Sequence, residues 1–175
     1  PHDAKGLLIS SIESDDTIVF MEPKRVYRAI KQEVSEDKYT VPIGKAKVLT
    51  EGTDVTVVAY GALIRETQKA LVLAKQAGIS AELIDLRTVY PLDKETIAKS
   101  IKKTGRLVFV AEGPKSFGVG AEMISLANEE AFLHLEAPPK RVTGFDTIVP
   151  LPRGEHHYMI KPDKIFYEIE KTVKF

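Results

Sequence analysis

The sequence predicts an α/β protein, a three-layer α/β/α sandwich around a mostly parallel open sheet. Two observations carry this. From about Val41 the pattern is regular, and short apolar runs alternate with amphipathic stretches in the order strand, helix, strand, helix, strand, helix, strand, helix. The runs are also apolar nearly throughout, as expected when both faces of a sheet are covered. The chain of 175 residues is long enough to hide roughly 70% of its unfolded surface, so a packed core is within reach.

Ala4 to Ser11 reads as a helix, with Leu7, Leu8 and Ile12 on one face. Asp15 and Asp16 break it, and Thr17–Met21 reads as a short strand that needs neighbours on both faces. Few strand partners follow, so residues 1–35 are expected to be the tail of a domain whose beginning is missing. The start at Pro1-His2-Asp3, without an initiator Met, fits an excised piece. Residues 36–50 read as a linker and lead-in, kept extended by Pro42, and residues 51–175 as the main domain.

Within that domain, Asp54–Gly61 reads as a strand. Leu63–Ala77 reads as a helix with Leu63, Ala70, Leu71 and Ala74 inward and Gly78 as its stop. Ala81–Leu86 is the next strand. Asp93 caps a helix to about Lys103, with Ile97 and Ile101 inward, and Gly105 ends it. Arg106–Ala111 is the third strong strand. Gly118–Phe132 is a helix with Met123, Leu126 and Ala127 inward, and Arg141–Gly144 is a short strand. Pro162 opens a final helix whose apolar positions are Ile165, Phe166, Ile169 and Val173.

Composition narrows the function classes. Lys plus Arg equals Asp plus Glu at 25 each, which gives no long-range field to draw in nucleic acid or an anionic membrane. The absence of cysteine removes disulfides, thiolate metal sites and thiol nucleophiles. No apolar run approaches the roughly 18 residues of a membrane span.

Local motifs are sparse. Gly118-x-Gly120 lacks the third glycine of a dinucleotide fingerprint and follows the third strong strand, not the first. A tight turn into a closely packed helix is the expected role. His156 and His157 are adjacent in a polar stretch, and neighbouring residues point apart, so a solvated loop is expected. There is no nucleophile elbow and no Walker loop.

Longer strings carry more. Phe20-Met21-Glu22-Pro23-Lys24 with Tyr27-Arg28, Val41–Ala46, Ile84-Asp85-Leu86-Arg87-Thr88 followed by Pro91, Lys103–Leu107 and Phe117–Glu122 occur in this order. Leu135–Pro138, Arg141–Thr147 and Pro162–Ile165 complete the set. From about residue 3 to its end, the chain resembles the carboxy-terminal portion of the beta subunit of thiamine-diphosphate-dependent 2-oxo acid dehydrogenases. The strings at Glu22–Lys24 and Tyr27-Arg28 look closer to branched-chain than to pyruvate members.

The resemblance implies a transketolase carboxy-terminal-type fold, preceded by a remnant of the pyrimidine-binding domain. The parent α2β2 enzyme decarboxylates a 2-oxo acid and acylates a lipoyl arm, with thiamine diphosphate and magnesium held outside this stretch. No residue of the chain is then catalytic or cofactor-binding, and alone it is inert. Implied partners are the alpha subunit, a second beta subunit and the subunit-binding domain of the acyltransferase core. The implied compartment is the cytoplasm, or the mitochondrial matrix in a eukaryote.

The resemblance also implies a potassium site at Ser11, Ile12, Ser14 and Asp16, where family members carry Asp in place of Ser14 and Asn in place of Asp16. A subunit interface is expected at Phe117, Gly118, Gly120 and Glu122, and acyltransferase docking at the carboxylate of Phe175. The rival readings are a free-standing nucleotide-binding module and the matching domain of a transketolase or deoxyxylulose-phosphate synthase.

Overall fold

The computed structural model describes residues 1–175. Its centre is a five-stranded sheet in the order β1-β3-β2-β4-β5. Here β1 is Lys47–Thr50, β2 Val55–Ala59, β3 Ala81–Asp85, β4 Leu107–Val110 and β5 Lys140–Val142. Four strands run parallel, and β1 alone is antiparallel, against β3. The expected three-layer architecture is therefore present.

Helix α1 is His2–Glu13, α2 Leu63–Gln76, α3 Lys94–Thr104, α4 Val119–Ala131, α5 Glu155–Tyr158 and α6 Pro162–Val173. The chain steps from β2 to β3 in one direction, then from β3 over to β4 in the other. Right-handed crossovers consequently put α2 and α3 on opposite faces. One buried cluster joins Val55, Val57 and Leu83 to Leu63, Ala70, Ile165 and Ile169 of α2 and α6. The other joins Val58, Ile84 and Phe109 to Ile97, Ile101, Met123 and Leu126 of α3 and α4. Alternate residues of β2 thus serve opposite layers, the period-two pattern of a strand covered on both sides.

Helix ends follow local chemistry. The Asp93 carboxylate accepts the Thr96 backbone N–H at 3.2 Å and its hydroxyl at 2.9 Å, and also the Ala46 N–H at 3.0 Å. One side chain thereby caps α3 and pins the chain leading into β1. Gly105, at φ +67°, ends α3 in the left-handed conformation that glycine adopts without strain.

A buried polar cluster closes the amino end of the sheet. Glu82, 1% exposed, accepts hydrogen bonds from Ser100 and Lys103. The Thr56 hydroxyl lies 2.6 Å from that of Ser100 and 2.8 Å from that of Thr104. Lys103 also reaches Glu51 at 2.9 Å, and both carboxylates hold its ammonium above the usual lysine range.

Three expectations change. Thr17–Met21 is extended but pairs with nothing, with Val19 82% and Met21 83% exposed. A strand needs a neighbouring edge to satisfy its N–H and C=O groups, and none of the five strands lies beside it. Lys47–Thr50, in the stretch read as linker, is a strand, and its placement at a sheet edge explains a partly polar sequence. His156 and His157 sit in the short helix α5, not a loop, with both side chains exposed. In α1, only Gly6 is buried; Leu8 and Ile12 face outward at 40% and 75% exposure.

Candidate subunit-contact site

The carboxy edge of the parallel strands, where β4 and β5 end, presents the most distinctive surface. Pairing continues past the strands: the Ala111 N–H donates to the Val142 carbonyl at 3.0 Å, and the Gly144 N–H to that of Gly113 at 2.9 Å. The loop from Glu112 to Gly118 is then pinned from one side. Ser116 donates to the Asp146 carboxylate from its N–H at 2.9 Å and its hydroxyl at 2.7 Å. Arg141 donates to the Lys115 carbonyl at 3.0 Å. The Ser116 hydrogen bonds hold the Asp146 carboxyl below the usual range.

This rigid loop delivers Phe117 with a φ of +56° and its side chain wholly in solvent, at 106% relative exposure. A bulky residue in the left-handed region is a strained outlier, and strain of this kind concentrates at functional sites. Exposed Phe145, Ile148, Val149 and Leu151 follow in the next loop, which the Ser116–Asp146 contacts bring close. Phe145 is steadied by an edge-on Tyr158 ring at 6.1 Å and by the Lys164 ammonium 4.9 Å above it.

The glycines of this motif serve internal packing. A Cβ on Gly118 would lie 2.8 Å from the Pro114 carbonyl oxygen. One on Gly120 would lie 2.9 Å from both the Phe109 ring and the Arg141 side chain. Gly120 therefore presses the first turn of α4 onto the sheet of its own chain, while Glu122 faces solvent. Among the four expected interface residues, Phe117 and Glu122 are open to a partner; Gly118 and Gly120 set the backbone that holds them.

The other expected positions lie elsewhere. Ser11 and Ile12 are in the last turns of α1, with Ser14 and Asp16 just beyond. The Ser11 hydroxyl donates to the Leu7 carbonyl at 2.7 Å, and the Asp16 N–H donates to the Ser14 hydroxyl at 3.2 Å. Phe175 is exposed at the end of the chain, after α6. The His156 and His157 ring centroids lie 3.8 Å apart with the planes tilted by 43°, and no group of three or more His, Asp or Glu is arranged to hold a metal ion.

A cavity of about 160 Å³ opens near the carboxy end of β4, lined in part by Leu63, Glu112, Val149, Tyr158 and Ile160. Pockets for cofactors are typically about 300–1,000 Å³, so this one is too small to bury such a molecule. No helix is long and apolar enough to cross a membrane.

Comparison with known proteins adds the following. The family model described as "Transketolase, C-terminal domain" matches residues 44–165. The chain is 56% identical over 174 residues to the pyruvate dehydrogenase E1 component subunit beta of Acholeplasma laidlawii, covering 99% of this chain and 53% of that protein. It is 45% identical over 175 residues to the protein of the same name from Staphylococcus aureus, covering 100% and 54%. The chain thus spans about half the length of the curated relatives it matches. A solved structure titled "Split gene transketolase, inactive beta4 tetramer" aligns with a TM-score of 0.67 at 25% identity, covering 77% of this chain and 44% of that one. The relatives carry the pyruvate name, so the expected branched-chain preference finds no support in them.

Proposed function

The chain belongs to the transketolase C-terminal domain family, and on that premise we propose that it is the assembly portion of the beta subunit of a thiamine-diphosphate-dependent 2-oxo acid dehydrogenase. The observation that carries this is 56% identity across 99% of the chain to a pyruvate dehydrogenase beta subunit. The same names favour pyruvate over a branched-chain 2-oxo acid as the substrate of the whole enzyme.

On this reading the chain's own residues build and join subunits. Residues 1–35 are the tail of the pyrimidine-binding domain, 36–46 lead into the sheet, and the remainder, from the edge strand β1 onward, forms the transketolase-type domain. No residue before Ala46 belongs to or packs against either buried cluster, which supports a boundary ahead of the sheet. Phe117 is the aromatic anchor of the contact with the alpha subunit or a second beta subunit, flanked by Glu122. Strain at its φ and the pinned loop support the role, because a preset side chain loses little freedom on binding.

The carboxylate of Phe175 is assigned to the acyltransferase's small binding domain, and potassium to the end of α1 at Ser11, Ile12, Ser14 and Asp16. Thiamine diphosphate and magnesium supply the decarboxylation chemistry in the whole enzyme. The cavity near the carboxy end of β4 is too small to bury the cofactor, and no step is assigned to the residues present here.

The test is sedimentation of the 175-residue chain with purified pyruvate dehydrogenase E1 alpha subunit, beside calorimetric titrations with thiamine diphosphate plus magnesium and with NAD. Co-sedimentation without heat from either titration is the expected result. Saturable NAD binding overturns the proposal in favour of a nucleotide-binding module. The absence of any association removes the assembly role.

A further inference from the structure

Residues 1–43 precede the stretch matched by the family and contribute nothing to either buried cluster. Their attachment therefore needs another cause. Internally they form one unit. The Val41 N–H donates to the Gly6 carbonyl at 3.2 Å, and the Ser10 hydroxyl to that of Val41 at 2.6 Å. Lys5 donates to the carbonyls of Glu36 and Asp37 at 3.2 and 2.9 Å, and Tyr39 to that of His2 at 2.9 Å. These contacts fold residues 35–41 back along α1.

Across the boundary the contacts are few. The Arg87 Nε–H donates to Oδ2 of Asp3 at 2.9 Å, and Nη2 lies 2.9 Å from the same oxygen as an ion pair. No other side-chain hydrogen bond joins residues 1–43 to the rest. A second ion pair, Arg25 with Glu66, is looser at 3.8 Å, and Glu66 is held closer by Lys69 at 3.1 Å. The Arg87 pair is also the better shielded, with side chains 12% and 28% exposed. Burial opposes ionisation of Asp3, but hydrogen bonds from His2 and Arg87 outweigh it and hold the carboxyl below the usual range.

The backbone at Arg87 is the second observation. Its φ is +57°, a conformation that costs a non-glycine residue energy and persists only where the surroundings enforce it. The Arg87 N–H donates to the Asp85 carboxylate at 2.9 Å, fixing this turn at the end of β3. Immediately after residues 1–43 along the chain, Gly44 and Ala46 are tethered through their N–H groups to Thr88 and Asp93. Val41 is tied to α1 and Gly44 to the main domain, so residues 42–43 are where the α1 unit would turn.

We infer that Arg87 is a positioning residue, a latch whose strained backbone aims its guanidinium at Asp3 and so fixes the α1 unit against the carboxy edge of the sheet. The latch concerns this chain's own geometry and stands apart from the proposed function. Release of Asp3 would free α1, and a 12-residue helix alone is marginal in water, so the released helix melts.

Hydrogen exchange on the 175-residue chain tests this with D3N, R87G, R87K and the D3N/R87G pair. Loss of a charge-assisted bond should raise the opening of α1 amides about 10- to 100-fold in D3N and R87G, with no further rise in the double variant. R87K should fall between, since a point charge replaces the planar fork. Amides of β2 and β4 should keep their protection, and in R87G should gain some from relief of the strained φ. Unchanged α1 protection in D3N and R87G overturns the latch. So does a loss shared equally by β2 and β4, or additivity in the double variant.

Discussion

Replacing Phe117 with glycine should make the isolated chain more stable and its assembly weaker. The ring is wholly exposed, so its removal forfeits no internal packing. Its φ of +56° costs an L-residue about 1–2 kcal/mol. Glycine removes that cost but adds about 0.5–1 kcal/mol of backbone entropy in the unfolded chain. The net gain is about 0–1.5 kcal/mol.

At a contact, an aromatic anchor commonly accounts for at least about 2 kcal/mol, or roughly 30-fold in Kd. Urea unfolding of the dilute chain reads the first quantity, and sedimentation with the alpha subunit the second. F117A separates the two causes, since alanine keeps the strained φ and loses the ring: association should fall without a gain in stability. A less stable F117G chain would show that the ring packs internally. Unchanged association would show that this loop is not the contact, and the reasoning from strain and exposure would fail.

Further outcomes follow from the same geometry. G120A should destabilise the chain itself by about 1–2 kcal/mol in urea, because overpacking against Phe109 exceeds the helix-propensity gain; F109L in the same chain should restore part of the loss. K103M should cost about 1–3 kcal/mol, less than a fully buried pair because Lys103 is 42% exposed, and E82Q added to it should recover some of that loss. D93A should cost about 1–2 kcal/mol by denaturant unfolding, through loss of the α3 cap and of the Ala46 tether. Burial disfavours the Asp93 carboxylate, but bonds from Thr96 and Ala46 outweigh this and lower its pKa. Its stabilisation is therefore complete above the unfolded value of about 3.9 and is lost as pH falls through the lower folded value. The acid limb of a stability–pH curve should accordingly flatten in D93A.

The sequence alone was enough for the layered fold. Inward positions at Leu63, Ala70, Ile97, Ile101, Met123, Leu126, Ile165 and Ile169 are buried as their spacing predicts. The Asp93 cap and the Gly105 stop are where their residue types place them. These features are local: a side chain's period, a cap or a left-handed stop depends on residues within a turn or two. Family membership was also legible, because ordered strings survive in sequence whatever their contacts.

Tertiary structure decided the rest. Thr17–Met21 has the composition of a strand, but pairing depends on an edge elsewhere in space, and none is there. Lys47–Thr50 looks polar enough for a linker, yet the open edge beside β3 makes it a strand. Gly118 and Gly120 read as a tight turn into a closely packed helix and as part of a subunit contact; only the fold shows that the neighbours they approach are Pro114, Phe109 and Arg141 of the same chain. Nothing local marks Phe117 and Arg87 as strained, or Arg87 as the partner of a residue 84 positions away. A dihedral forced by its surroundings and an ion pair across the fold are properties of where chain segments meet, and a one-dimensional pattern does not record that.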